Sequence, residues 1–267
     1  MPINPLHTLR FSIFSKHDFL VHGIFNRHGG VSPSPYHSLN VSFGVDDEAE
    51  HVRKNREIIQ NSLSIETLIS AKQVHGTNIF VLDKDSTNSL DTIAITKRAP
   101  LHNKATRELH DGYDAFISNI PGVALMVQQA DCQAVLLFDP TQKVVANIHC
   151  GWKGSINNII GKTVATMTNR FEVNPSNLLA GVSPSLGPCC AEFINYKTEL
   201  PSSFWDYQVK PNYFDFWQIS KDQLQEAGVQ AGNIQISSIC TACNSDWFSY
   251  RREQETGRFC SVIGLSS

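Results

Sequence analysis

The chain has 267 residues, of which 41% are hydrophobic and 18% charged, with a net charge of −3. That length gives one large domain or two small ones, and either can bury a full core. No basic run suggests nucleic acid, and no apolar run approaches the roughly 20 residues of a membrane span, so neither partner is expected.

The N-terminus, MPINPLHTLRFSIFSK, lacks an apolar signal core and a cleavage site, which gives a cytoplasmic expectation. The seven cysteines are odd in number and show no disulfide-framework spacing. In a reducing compartment they read as thiols or metal ligands.

Two strand-like runs come first, at residues 10–14 and 19–25. Residues 26–47, NRHGGVSPSPYHSLNVSFGVDD, are too irregular for a helix and too long for an idle turn. A long ordered loop of this kind is often functional. Asp46, Asp47 and Glu48 supply a helix start for residues 48–63, with Val52, Ile58, Ile59 and Leu63 broadly on one face. Strands follow at 67–71 and 78–82, separated by Lys72-Gln73-Val74-His75-Gly76.

Residues 83–110 are polar and weakly periodic, and read as a surface excursion within one domain. Strands at 115–118 and 123–128 precede a hairpin, ADCQAVLLFDPTQKVVANIHCGWKGS. Asp139-Pro140 suits the first two positions of a β-turn. With the hairpin centred between Pro140 and Thr141, Cys132 faces His149, and directly opposed Cβ atoms lie about 4.5–5.5 Å apart. After Gly154 a helix is expected over 155–171, capped by Ser155, with an apolar stripe of Ile156, Ile159, Ile160, Val164 and Met167. Its free N–H groups, just after His149, favour an anion. A strand at 177–182 leads into the turn SPSLGPCC. Residues 201–217 are aromatic-rich and unassigned. Ser220-Lys221-Asp222-Gln223 matches a capping box, and a last strand runs over 234–239. With no repeat and no linker, one α/β domain is the simpler reading.

Cys132 and His149 could share a metal ion, with His75, at a strand end before Gly76, as the third ligand. Three N and S ligands leave one position open, the pattern of a catalytic zinc. A metal-free Cys–His pair, with Asp131 as acid/base or orienting group, needs the same two residues together. Cys240-x-x-Cys243 alone wants a second pair before it reads as a zinc site, and Cys189-Cys190 are adjacent and awkward as joint ligands. A structural role is expected for the CxxC pair. Laccase chemistry is rejected as the main function. It wants paired histidines for a trinuclear copper cluster and a separate His₂Cys centre, whereas the ten histidines here are scattered. For anion recognition, Arg27, Lys153, Arg251, Arg252 and Arg258 lie in Gly- or Ser-containing segments. Arg27, beside Gly29-Gly30, is the most interesting because Arg offers a planar fork to phosphate.

Taken in order, residues 26–47 together with KQVHG, DGYDAFISN, ADCQAVLLFDP, HCGWKGS, SPSLGPCC and CTACNSDWFSYRRE-x-x-TGR resemble the YfiH/laccase-domain family. The resemblance spans Arg27 to Arg258. It implies a single domain over residues 1–267, a mixed α/β chain in an α/β/β/α layered sandwich. It also implies one zinc on His75, Cys132 and His149, and Arg27 at the site meeting phosphate. The implied activity is phosphorolysis of adenosine, inosine, guanosine and methylthioadenosine, with deamination of adenosine. Purine nucleosides and inorganic phosphate are then the partners. Asp131 would move a proton in the deamination, and Lys153 would help Arg27 hold phosphate. The alternatives are a hydrolase removing serine from a nucleotide-linked muramyl precursor, or a non-enzymatic zinc-stabilised binding protein.

Three departures from the family pattern stand out. Lys153 replaces the usual Arg of HAGWRG, keeping the charge and losing the fork. Cys150 adds a thiol beside His149, expected on the opposite face of its strand. The spacing from His75 to Cys132 is long, and the excursion at 83–110 takes up the extra length, where it could act as a lid.

Overall fold

The computed structural model describes residues 6–83, 105–109 and 112–267. In chain order its strands are β1 Thr8–Leu9, β2 Leu20–Phe25, β3 Thr67–Ala71, β4 Ile79–Leu82, β5 Ala105–Leu109, β6 Ala115–Ser118 and β7 Val123–Gln129. Then come β8 Gln133–Asp139, β9 Val144–Cys150, β10 Leu179–Val182, β11 Gln208–Lys210, β12 Tyr213–Phe214, β13 Ile234–Ile236 and β14 Phe259–Leu265. One sheet has the order β1-β2-β14-β7-β3-β5 and the other β13-β10-β8-β9-β6-β4, while β11 and β12 pair on their own.

The two sheets pack face to face, as their continuous apolar runs require. Along β7, Leu125 and Val127 point between the sheets, against Phe116 of β6 and Leu136 and Phe138 of β8. The alternate residues Ala124 and Met126 point outward, to Ile59 and Leu63 at the helix Ala49–Ser62. On the far side, Val135, Leu137, Ala146 and Ile148 meet Ile159, Ile160, Val164 and Met167 of the helix Ile159–Phe171, and Leu224 of the helix Phe216–Glu226. The result is the expected α/β/β/α sandwich.

Several local expectations are corrected. The 10–14 run is not a strand: Ser12–Phe14 form a 3₁₀ turn. Phe11 and Phe14, three apart, are thereby both buried, and Phe11 lies over Gly181, where a Cβ would approach its ring within 2.4 Å. The 155–171 helix is broken in two, Trp152–Ile156 and Ile159–Phe171, by Asn158 in the left-handed region. The Asn158 side chain accepts from Gly161 N–H and caps the second helix, while Gly151 rather than Ser155 precedes the first. Asp215, not Ser220, caps Phe216–Glu226, by accepting from Gln218 N–H. Ser220 is buried and hydrogen-bonded to Gln133. Of the 83–110 excursion, residues 84–104 and 110 lie outside the described residues, but Ala105–Leu109 is an edge strand parallel to β3. Its polar composition had hidden it, because only some of its side chains need face the core.

The hairpin register also differs. Ala134 pairs with His149 and Gln133 with Cys150, two residues away from the expected pairing. The turn is a four-residue loop rather than a tight one. Asp139 Oδ1 accepts from the N–H groups of Thr141 and Gln142 at 2.7 and 3.2 Å, and Lys143 takes φ 53° to rejoin the ladder. Side chains alternate with period two. A two-residue slip therefore keeps Cys132 and His149 on the same face.

Candidate functional site

Two of the crossings between the sheets converge on one end of the sandwich. The β3–β4 connection carries His75 from the first sheet to the second, and Ala130-Asp131-Cys132 carries the chain from β7 to β8. His149 stands near the end of β9, between these two crossings. Nitrogens of His75 and His149 and Sγ of Cys132 all lie within 4.8 Å of one another. Cys132 Sγ is 3.9 Å from His75 Nε2. A tetrahedral zinc with ordinary Zn–N and Zn–S bonds separates such donors by about 3.6 Å, so the trio fits one ion with little adjustment. Gly151 keeps the space open. A Cβ there would lie 3.1 Å from both Cys132 Sγ and His75 Cδ2.

Asp114, fully buried at the start of β6, organises the trio. Its Oδ1 lies 2.9 Å from His149 Nδ1. The same carboxylate accepts from the backbone N–H groups of His75 at 2.9 Å, Gly76 at 2.7 Å and Val74 at 3.3 Å. Three successive N–H groups closing on one carboxylate form a backbone nest. The nest holds His75 in the left-handed region, at φ 58°. With Nδ1–H donated to Asp114, His149 presents Nε2 to the site, the arrangement by which a carboxylate behind an imidazole orients it towards a metal. The side-chain amide of Gln73 pairs with both backbone groups of Gln128, each at 2.8 Å, and fastens the His75 loop to the end of β7.

The electrostatics follow from this packing. Burial raises the Cys132 pKa, but His149 and then His75 outweigh it and bring the thiol down to about 6. Burial lowers the His149 pKa, yet Cys132 and Asp114 push it up to about 9. For Asp114, burial works upward and is overcome by His149 and the nest, leaving its carboxyl below the usual range. Without an ion, the site holds a thiolate beside an imidazolium.

The trio borders a cavity of about 1560 Å³. Trp152, Leu186, Phe193 and Phe216 supply apolar wall, and Arg251 and Arg258 supply charge. Phe216 and its neighbours come from the aromatic stretch that the sequence left unassigned, which builds a core of its own around Phe204 and Phe214. Burial lowers the Arg258 pKa, opposed by the charges it faces on Cys132 and Asp131. Asp131, at φ 84°, also borders the cavity. Its two oxygens accept from Thr241 Oγ1 and from Arg251 N–H, each at 2.6 Å.

Arg27 and Lys153 are placed elsewhere. Arg27 pairs with Glu253 at 2.6 Å, donates to His37 O and lies over the Phe248 ring, and it does not border the cavity. Lys153 is exposed, with its ammonium 5.3 Å from the Trp152 ring. Cys150 faces away from the trio, into the outer core beside Ser155. Asp114 was missed by sequence reasoning, although it sits inside the DGYDAFISN motif. After Asp111-Gly112 an aspartate reads as a turn residue, and nothing in the spacing ties it to His75.

Residues 21–266 match the family described as multi-copper polyphenol oxidoreductase laccase. A Bacteroides thetaiotaomicron protein named purine nucleoside phosphorylase is 28% identical, with 96% of this chain and 95% of that protein covered. Purine nucleoside phosphorylase YfiH of Escherichia coli strain K12 is 31% identical, over 90% of this chain and 91% of the relative. The crystal structure of the Bacillus licheniformis hypothetical protein YfiH superposes with a TM-score of 0.82 at 26% identity, covering 98% of this chain and 100% of that one.

Proposed function

Because this chain belongs to the YfiH/laccase-domain family, we propose that it is a purine nucleoside phosphorylase in which His75, Cys132 and His149 hold one zinc ion. The observation that supports this reading is a single cavity bordered by the His–Cys–His trio, by the apolar faces of Trp152 and Phe193, and by Arg251 and Arg258 among its arginines. A purine nucleoside and phosphate need those three kinds of surface together. The donor set also favours zinc over laccase copper. Among the described residues the potential metal clusters are this trio and a group of four cysteines, with none of the paired histidines a trinuclear copper centre uses.

In phosphorolysis a phosphate oxygen bonds to C1′ of the ribose as the glycosidic bond breaks, and the bond's electron pair leaves with the base. Arg258, facing the site, is the cation we assign to phosphate, with Arg251 beside it. Arg27 holds Glu253 and so steadies the segment that carries Arg251. Asp131 positions Arg251 through its backbone N–H. Each Asp131 oxygen accepts one hydrogen bond and keeps a second lone pair with which to take up a proton. Trp152 and Phe193 receive the base and exclude water from one side of it. When bound, zinc supplies Lewis-acid polarisation at the cavity wall. On this reading adenosine, inosine, guanosine and methylthioadenosine are substrates, and adenosine is also deaminated.

The test is inosine with and without phosphate, with product identification. Free base and ribose 1-phosphate are expected in equal amounts, with none released without phosphate and none by Cys132→Ala. Base release at an unchanged rate without phosphate, or full activity of Cys132→Ala, overturns the reading. The serine amide of a nucleotide-linked muramyl precursor, offered separately, ranks the hydrolase alternative by turnover.

A further inference from the structure

We propose that this protein carries a second metal site, a tetrathiolate zinc centre formed by Cys189, Cys190, Cys240 and Cys243. The four sulfurs lie within 4.8 Å of one another. Cys243 Sγ is 3.6 Å from that of Cys189 and 3.4 Å from that of Cys190. In a tetrahedral site with Zn–S bonds of about 2.3 Å the sulfurs stand about 3.8 Å apart. The cluster is therefore already close to the size an ion would impose.

Adjacent cysteines point to opposite sides in a strand, but Cys189 and Cys190 sit in a turn, where Cys190 N–H and Ala191 N–H both donate to Gly187 O at 2.9 Å. The bend brings both thiols to one side. Cys240 and Cys243 are aligned by a second turn, closed by Asn244 N–H on Cys240 O at 3.1 Å. Gly187 N–H donates to Cys240 Sγ at 3.3 Å, the kind of outer hydrogen bond that settles a metal-bound sulfur. A side chain at Gly187 would come within 3.0 Å of Cys240 Cβ, so glycine lets the two turns meet.

The centre would tie the SPSLGPCC turn to the C-terminal segment. Thr241, between two of its ligands, holds Asp131, which adjoins Cys132. The second ion therefore braces the first site without entering it. This inference stands on the cysteine geometry alone, and does not depend on which reaction the cavity performs.

The test is metal content and cobalt spectroscopy on the full chain purified under reducing conditions. Wild-type protein is expected to hold about two zinc ions, one for each donor cluster. Cys189 and Cys243 are exposed, so Cys189→Ser with Cys243→Ser should keep the fold and lose about half the zinc. Cys132→Ala loses the other half and, loaded with cobalt(II), still shows intense thiolate-to-cobalt charge transfer. Two results overturn the proposal: unchanged zinc in the Cys189/Cys243 double variant, or a Cys132→Ala protein with no such band. A mass lower by paired thiol hydrogens, marking a disulfide among the four, overturns it as well.

Discussion

Asp114 Oδ1 lies 2.9 Å from His149 Nδ1 and also 2.9 Å from the backbone nitrogen of His75. One buried carboxylate thus sets the tautomer of one candidate ligand and the backbone conformation of another, from different sheets.

Asp114→Asn should weaken zinc binding by about 10–100-fold, the usual effect of losing the carboxylate that holds a metal-binding imidazole in place. Three backbone N–H groups and the His149 imidazole converge on Asp114, and an amide offers one acceptor oxygen where the carboxylate offers two. At least one donor must then face the amide nitrogen. Competition with a chromophoric chelator measures the change, and wild-type affinity in the variant would refute the role.

Gly151→Ala is the most selective way to crowd the site. Its φ of −77° suits any residue, so the backbone cost is small, but the new methyl group meets Cys132 Sγ and His75 Cδ2 at 3.1 Å. Metal content should fall sharply while the unfolding midpoint of the metal-free protein stays close to that of wild type.

In metal-free protein, iodoacetamide should label Cys132 at a rate that is half-maximal near pH 6. A thiol reacts as its thiolate, which forms above the pKa, so a lowered pKa means reactivity well below the ordinary range for cysteine. His149→Ala removes a charge that favours the thiolate, and the profile should move to higher pH. The sign of the linkage is fixed for each partner. The depressed Cys132 pKa contributes stability that is lost as pH falls through about 6, and the raised His149 pKa contributes stability lost as pH rises through about 9. A labelling profile centred above pH 8 would contradict the pairing.

Arg258→Ala should raise the KM for phosphate by about tenfold or more, the worth of one charge-assisted hydrogen bond. Arg27→Ala should instead lower thermal stability, by releasing Glu253 from its ion pair, with a smaller effect on phosphate KM. The reverse pattern would return the phosphate role to Arg27.

The layered core was legible in the sequence because apolar runs of strand length leave few other arrangements. Runs such as those in β3, β7, β8 and β9 are buried on both faces. His75 was legible as a strand-end residue before Gly76, and Cys132 and His149 as two residues on one face at the mouth of the hairpin. The hairpin register was not, because Asp139 can begin either a two- or a four-residue loop, and only the structure shows two amides on its side chain. The strand Ala105–Leu109 was hidden by its polarity. The four cysteines were obscured because adjacency looks prohibitive until a turn is known. Arg258 and Arg27 carry the same charge in similar segments, and tertiary partners alone distinguish them.

Holding His75 on the β3–β4 connection, with Cys132 and His149 at the ends of β8 and β9, gives the trio a mechanical meaning. An ion gripping all three would act as a clasp across the mouth of the sandwich, since two grips belong to one sheet and the third leaves the other. Opening the mouth would then mean stretching metal–ligand bonds. Stripping the ion would let that end gape while the opposite end stays shut. Amide exchange should accordingly quicken first at Val74–Gly76 and Ala130–Cys132, well before the centres of β7 and β8 respond.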